Sequence, residues 1–162
     1  TFFKEIQELP YATNLTVNQD LDYQHFRYWT PSVKPRSMSL NNALEQFYAA
    51  LIDSIRIRLR SDVPLAFCLS GGIDSTAITS IAAKIFNYDV STFSIVEDDK
   101  RYNELENIQT TINDLGCKHT LVNISKHGVI DRLKKLVHYH DAPVYTISYY
   151  IHSLLSEAIS NQ

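Results

Sequence analysis

Glycine is scarce in this chain. There are four in 162 residues, and two of them, Gly71 and Gly72, are adjacent. So few glycines leave few places where the backbone turns through positive φ without strain, and the Gly-Gly pair marks where the main chain needs that freedom. Cysteine is scarcer still. Cys68 and Cys117 show no metal or redox spacing, and Cys68, set in an apolar run, reads as a small core residue. No disulfide is expected in a reducing compartment. Excess positive charge is also missing: 15 Lys and Arg against 18 Asp and Glu give a net charge of −3. That balance carries no electrostatic footprint for a nucleic-acid partner. No apolar run approaches the ~20 residues of a membrane span. The N-terminal stretch, interrupted by Lys4 and Glu5, lacks the apolar core of a signal peptide. The expectation is a cytoplasmic globular chain, with no nucleic acid or membrane among its partners.

Two common phosphate-binding fingerprints are absent as well. No Lys follows the glycines in the G-x-x-x-x-G-K-[ST] pattern, and there is no G-x-G-x-x-G. What is present is Leu65-Ala-Phe-Cys-Leu-Ser-Gly-Gly-Ile-Asp-Ser75. It reads as a short buried strand, 65–69, running into a glycine loop that opens a helix. Ile73, Ala77, Ile78, Ile81, Ala82 and Ile85 repeat at helical spacing. The loop N–H groups and the helix N-terminus then converge on one place, an anion site. A carboxylate, Asp74, lies inside that loop and would repel a bare phosphate. A divalent cation between them removes the conflict, and hard oxygen ligands favour Mg²⁺. The plainer alternative makes Asp74 and Ser75 ordinary helix-capping residues. The strand–loop–helix context favours the phosphate reading.

Elsewhere the pattern resolves into elements. Residues 13–17 alternate as a strand, and 30–39, with Pro31 and Pro35, read as a linker. Apolar Leu40, Ala43, Leu44, Phe47, Leu51, Ile55 and Leu59 give a long helix. Arg56, Arg58 and Arg60 at its end read as a solvated cluster rather than a phosphate site. Strands at 90–96 and 119–124 alternate with helices at 74–86, 103–114 and 127–139, and a last helix runs through Ile151 to Ile159. Gly116 suits a helix C-terminus. This is an α/β chain with parallel strands joined by right-handed crossovers. Ligands in such sheets bind beyond the carboxyl ends of the strands. Glu97, Asp98 and Asp99 form an acidic cluster there, and a charged turn is its plainer meaning. His138 and His140 do not share a helix face and read as solvated. Tyr145, Tyr149 and Tyr150 read as packing residues with boundary hydroxyls.

Ser70-Gly71-Gly72-Ile73-Asp74-Ser75 resembles the pyrophosphate loop of the N-type ATP pyrophosphatases, which cleave ATP between the α and β phosphates. Other segments narrow the resemblance to glutamine-dependent (class B) asparagine synthetases. They are Phe2-Phe3-Lys4-Glu5-Ile6 with Leu9-Pro10, Tyr28-Trp29, Leu59-Arg60-Ser61-Asp62-Val63-Pro64, Ser91-Thr92-Phe93-Ser94-Ile95, Tyr102-Asn103-Glu104 and Asp141-Ala142-Pro143. The resemblance implies a Rossmann-like parallel sheet with flanking helices, of the adenine nucleotide alpha hydrolase kind. Residues 1–35 would be the tail of a glutaminase-type domain with its linker, and residues 36–162 the first part of the synthetase domain. That family's glutaminase domain begins with a Cys nucleophile, whereas residue 1 here is Thr1. Its Ser-Gly-x-Gly-x-Asp-Glu segment and catalytic Lys are expected after Gln162. The chain is therefore read as a fragment, inactive alone, with an open apolar edge where a fourth strand would pair beside strand 65–69.

The resemblance also implies roles. The backbone from Gly71 through Gly72, Ile73 and Asp74 to Ser75, with the hydroxyls of Ser70 and Ser75, would hold pyrophosphate. Asp74 would ligate Mg²⁺. Leu69 and Ile95 would lie against adenine, although Ile95 is as readily a core residue, and Asp141 is a further candidate with turn initiation as its plainer role. The substrates would be ATP, aspartate and ammonia released from glutamine, passing through β-aspartyl-AMP. The remaining partners would be the rest of its own synthetase and glutaminase domains, with a homodimer allowed. Two alternatives stay open. One is a related adenylating amidotransferase or cyclase, and the other a truncated, non-catalytic nucleotide-binding module.

Overall fold

The computed structural model describes residues 1–96, 104–124 and 127–162. The acidic cluster Glu97, Asp98 and Asp99 lies outside the described residues, as do Tyr102 and Asn103. The chain divides into two compact units, Thr1–Ser39 and Leu40–Gln162.

The first unit is built on an antiparallel hairpin of β1 (Thr13–Val17) and β2 (Tyr23–Arg27), with Val17 opposite Tyr23 and Thr13 opposite Arg27. The connection contains no glycine. Instead Asn18 Oδ1 accepts the N–H groups of Asp20 (3.0 Å) and Asp22 (2.8 Å), while Leu21 takes a left-handed φ of 65°. An Asn side chain can replace backbone acceptors in this way. Arg27 stacks its guanidinium 4.3 Å from the Tyr11 ring centroid.

The second unit opens with α1 (Leu40–Arg58) and continues as β3 (Ala66–Cys68), α2 (Ile73–Lys84), β4 (Ser91–Val96), α3 (Leu105–Leu115), β5 (Lys118–Asn123), α4 (Val129–His140) and α5 (Ser148–Ser160). The strands form one parallel sheet in the order β3-β4-β5, registered as Ala66 with Ser91 and Ser91 with Lys118. The expected α/β architecture, a parallel sheet with flanking helices, is present. Element ends differ from expectation by a residue or two, which is where helices and strands fray. Helix α2 packs against α1 and α3, α5 packs on β4 and β5, and α4 packs on α5. Among the described residues no helix is long and apolar enough to cross a membrane.

The core comprises Ile55, Leu69, Ala82, Val90, Phe93, Ile108, Leu136 and Tyr150, with the hydroxyls of Thr79, Thr92, Ser94 and Thr111 buried among them. Each of these hydroxyls donates to a backbone carbonyl: Thr79 to Ser75, Thr111 to Asn107 and Thr92 to Lys118 at 2.8 Å each, and Ser94 to Leu69. Burying a hydroxyl is tolerable only with such a partner.

One expectation is corrected. Cys68 is exposed rather than a core residue. Its strand is the sheet's edge, pairing with β4 alone among the described residues, so apolar character there does not mean burial. Enough protein still surrounds the thiol for burial to push its pKa up.

Candidate phosphate-binding loop

Strand β3 leads through Leu69 and Ser70 into the loop, and α2 begins at Ile73. Gly71 carries φ +85°, and Gly72 follows as the extended N-cap of α2 with φ −75° and ψ 160°. The left-handed value at Gly71 is the one that requires glycine. Leu69 anchors the strand side: its N–H donates to Phe93 O at 2.8 Å, and its carbonyl accepts the Ser94 hydroxyl.

Two hydroxyls tie the loop to itself. Gly72 N–H donates to Ser70 Oγ (3.3 Å), and Ser75 Oγ donates to Gly72 O (3.1 Å). Because the Ser75 proton is committed to Gly72, Ser70 is the donor across the 3.0 Å separation of the two hydroxyls. The result is a closed ring from the Gly72 N–H, through both serines, to the Gly72 carbonyl. Ser75 Oγ also accepts the Ser70 N–H at 3.2 Å. The hydroxyls expected to hold phosphate oxygens thus direct their protons within the loop.

The main chain is left with donors to spare. The N–H groups of Gly71, Ile73, Asp74 and Ser75 have no hydrogen-bond partner among the described residues, while helical bonding starts at Thr76, which donates to Gly72 O at 3.1 Å. Unpaired N–H groups at a glycine turn and a helix N-terminus form a concave site for an anion. This fits a polyphosphate. It also fits Mg²⁺ with oxygen ligands, since Asp74 is exposed in the first turn of α2. No group of three His, Cys, Asp or Glu residues suited to a metal ion occurs among the described residues. A magnesium ion here would take most of its ligands from phosphate and water.

The other expected residues are spread around this loop. Leu69 is 1% exposed and Ile95 half-buried, so of the two expected beside adenine it is Ile95 that keeps open surface. Asp141 closes α4 in a left-handed conformation, φ 50°. His140 meets Tyr149 edge-on at 4.9 Å. Arg56 pairs with Asp53 (2.6 Å) and Arg58 with Ser54 Oγ (2.6 Å) along their own helix, as a solvated helix end would. A groove of about 550 Å³ runs from Ser75 along β3, lined by Leu51, Ile55, Leu59, Cys68 and Ile78 among others.

One neighbour of the loop was not among the expected binding residues. A Cβ built on Gly71 would lie 2.8 Å from Glu104 Cβ, 3.0 Å from Glu104 O and 3.2 Å from its Oε2. Gly71 therefore needs to be glycine twice over, for its φ and for this approach. The sequence signal was the acidic residue just before the helix that follows the second strand.

Comparison with known proteins identifies the family of the unit that carries the loop. The family model described as asparagine synthase matches residues 46–162. Asparagine synthetase [glutamine-hydrolyzing] 1 of Bacillus subtilis (strain 168) is 28% identical over 144 residues, covering 89% of this chain and 23% of its own length. Asparagine synthetase [glutamine-hydrolyzing] 3 of the same organism is 30% identical over 155 residues, covering 87% of this chain and 25% of its own. The chain spans about a quarter of the length of these relatives. With the family model covering its whole α/β unit beyond the start of α1, the chain belongs to the asparagine synthase family.

Proposed function

We propose that this chain supplies the ATP-binding part of a glutamine-dependent asparagine synthetase-like ligase. The observation that carries the reading is the set of four N–H groups, on Gly71, Ile73, Asp74 and Ser75, that have no partner among the described residues and surround a left-handed glycine. In this reading the side-chain carboxylate of aspartate attacks the α-phosphorus of ATP. The α–β phosphoanhydride bond breaks, and pyrophosphate leaves into the loop. Ammonia released from glutamine then displaces AMP to give asparagine. The departing charge is stabilised electrostatically by donors already in position, because the Ser70–Ser75 ring holds the backbone before any ligand arrives. Magnesium would supply charge neutralisation for the polyphosphate, and Asp74 would be its carboxylate ligand on this chain.

The hairpin unit is read as the end of a glutaminase-type domain. Residues 1–162 alone are proposed to bind nucleotide without converting it, because the family's nucleotide site includes segments beyond those matched here. The acceptor acid rests on family membership alone, so the same adenylating chemistry on another carboxylate is the alternative.

Calorimetric titration tests the reading. The 162-residue chain should bind pyrophosphate in the presence of Mg²⁺, and Asp74→Asn should weaken that binding. A wild-type chain that binds neither pyrophosphate nor ATP would remove the proposal. AMP and pyrophosphate formed from ATP and aspartate by residues 1–162 alone would remove the claim that the chain is only part of the working unit.

A further inference from the structure

We infer that Glu104 makes the loop selective for polyphosphate that arrives complexed to a divalent cation. The inference rests on the reading of the loop as a polyphosphate site and adds a residue that selects the form of the ligand.

Glu104 is fixed from α3. It is the N-cap of that helix, its carbonyl accepts the Ile108 N–H at 3.1 Å, and Ile108 is buried in the core. The fixed residue lies directly against Gly71, with its Cβ, carbonyl oxygen and Oε2 all within 3.2 Å of where a Gly71 Cβ would stand. Gly71 contributes one of the four N–H groups without a partner among the described residues. The loop thus offers hydrogen-bond donors to an anion while holding a carboxylate beside the same seat, and Asp74 adds a second carboxylate on the first turn of α2. A bare pyrophosphate meets repulsion from both. A magnesium-complexed one brings a cation that converts both carboxylates from repulsive neighbours into oxygen ligands or close counter-charges. The donors alone would accept any anion of the right shape. The Glu104 carboxylate is what removes the uncomplexed form.

The test compares pyrophosphate titrations of the 162-residue chain in EDTA and in excess Mg²⁺. Glu104→Gln should tighten metal-free binding by about tenfold and shrink the benefit of Mg²⁺ by a similar factor. Glu104→Ala should do the same. Glu106→Gln, an exposed acidic residue on the same helix, should keep the wild-type ratio and controls for general charge. Far-UV circular dichroism checks that each variant folds. An unchanged ratio in folded E104Q and E104A, or an equal change in E106Q, overturns the role of Glu104 and leaves the loop reading standing. Failure of the wild-type chain to bind pyrophosphate even with Mg²⁺ overturns the loop reading, and this inference with it.

Discussion

Ser70 Oγ and Ser75 Oγ lie 3.0 Å apart, and the proton between them belongs to Ser70. This orders the loop before a ligand arrives. Removing the Ser75 hydroxyl takes away the acceptor for the Ser70 N–H, the partner of the Ser70 hydroxyl and the donor to Gly72 O. Ser75→Ala should weaken magnesium-dependent pyrophosphate binding by about tenfold, because the N–H groups lose their fixed geometry. Ser75→Thr, which keeps a hydroxyl, should restore most of it. Titration calorimetry on the two variants decides the matter, and equal loss in both would count against the ring.

Gly71 and Gly116 both sit at positive φ, +85° and +61°, but their surroundings differ. A Cβ at Gly116 meets nothing within 4 Å, while one at Gly71 strikes Glu104. Gly116→Ala should cost about 1 kcal/mol, the strain of a left-handed L-residue. Gly71→Ala should cost about 2–3 kcal/mol, since strain and overlap add. Urea denaturation of both variants measures the difference, and equal costs would show that α3 gives way at Glu104.

Ser94 is buried at 1% exposure and donates to Leu69 O on the loop-bearing segment. Ser94→Ala leaves that carbonyl without its hydroxyl partner and should destabilise the chain by about 1–3 kcal/mol. Lys84 pairs with Asp114 at 2.5 Å with both side chains more than half exposed, so Lys84→Ala should change stability by less than about 1 kcal/mol. Thermal melts followed by circular dichroism rank the two, and a larger effect for Lys84 would contradict the assignment.

His119 links stability to pH. Thr92 Oγ1 gives its proton to Lys118 O, so it accepts from His119 Nδ1–H at 2.8 Å. The proton is thereby set on Nδ1, and Nε2 is a buried lone pair with no partner among the described residues. Protonating Nε2 would bury an unpaired charged donor, and burial holds the His119 pKa below its ordinary 6.5. The unfolded chain therefore takes up the proton first as pH falls. Stability is fully present above pH 6.5 and is lost below it, toward the lower folded pKa. Urea midpoints at pH 7.5 and 5.5 should show that loss, and His119→Leu should reduce it. A pH dependence unchanged in His119→Leu would assign it to other groups.

Most of the second unit was legible because its signals are local. The spacing from Ile73 to Ile85 set α2, Gly116 stopped α3 with its N–H on Ile112 O at 2.8 Å, and the Gly-Gly pair located the loop. What escaped depends on partners distant in sequence. Strand β2 carries no two-residue glycine turn and is exposed along its length, so neither turn chemistry nor burial marked it. Cys68 looked like core because an edge strand and a central one share the same apolar composition. Glu104 stood out only by resemblance, since nothing local says that the start of α3 returns to Gly71. The Ser94–Leu69 bond likewise joins residues 25 apart.

The sheet order β3-β4-β5 follows the order of the chain. Each strand finds its partner in the next one synthesised, with a single helix between. A nascent chain can therefore add the sheet strand by strand as it leaves the ribosome, each addition closing a loop of modest length. Among the described residues, no strand of this sheet pairs with one made much later. Parallel pairing is intrinsically slow to form, and closing each crossover over a single helix keeps its range moderate. The loop between β3 and α2 would have its β4 support in place before α4 and α5 have been made.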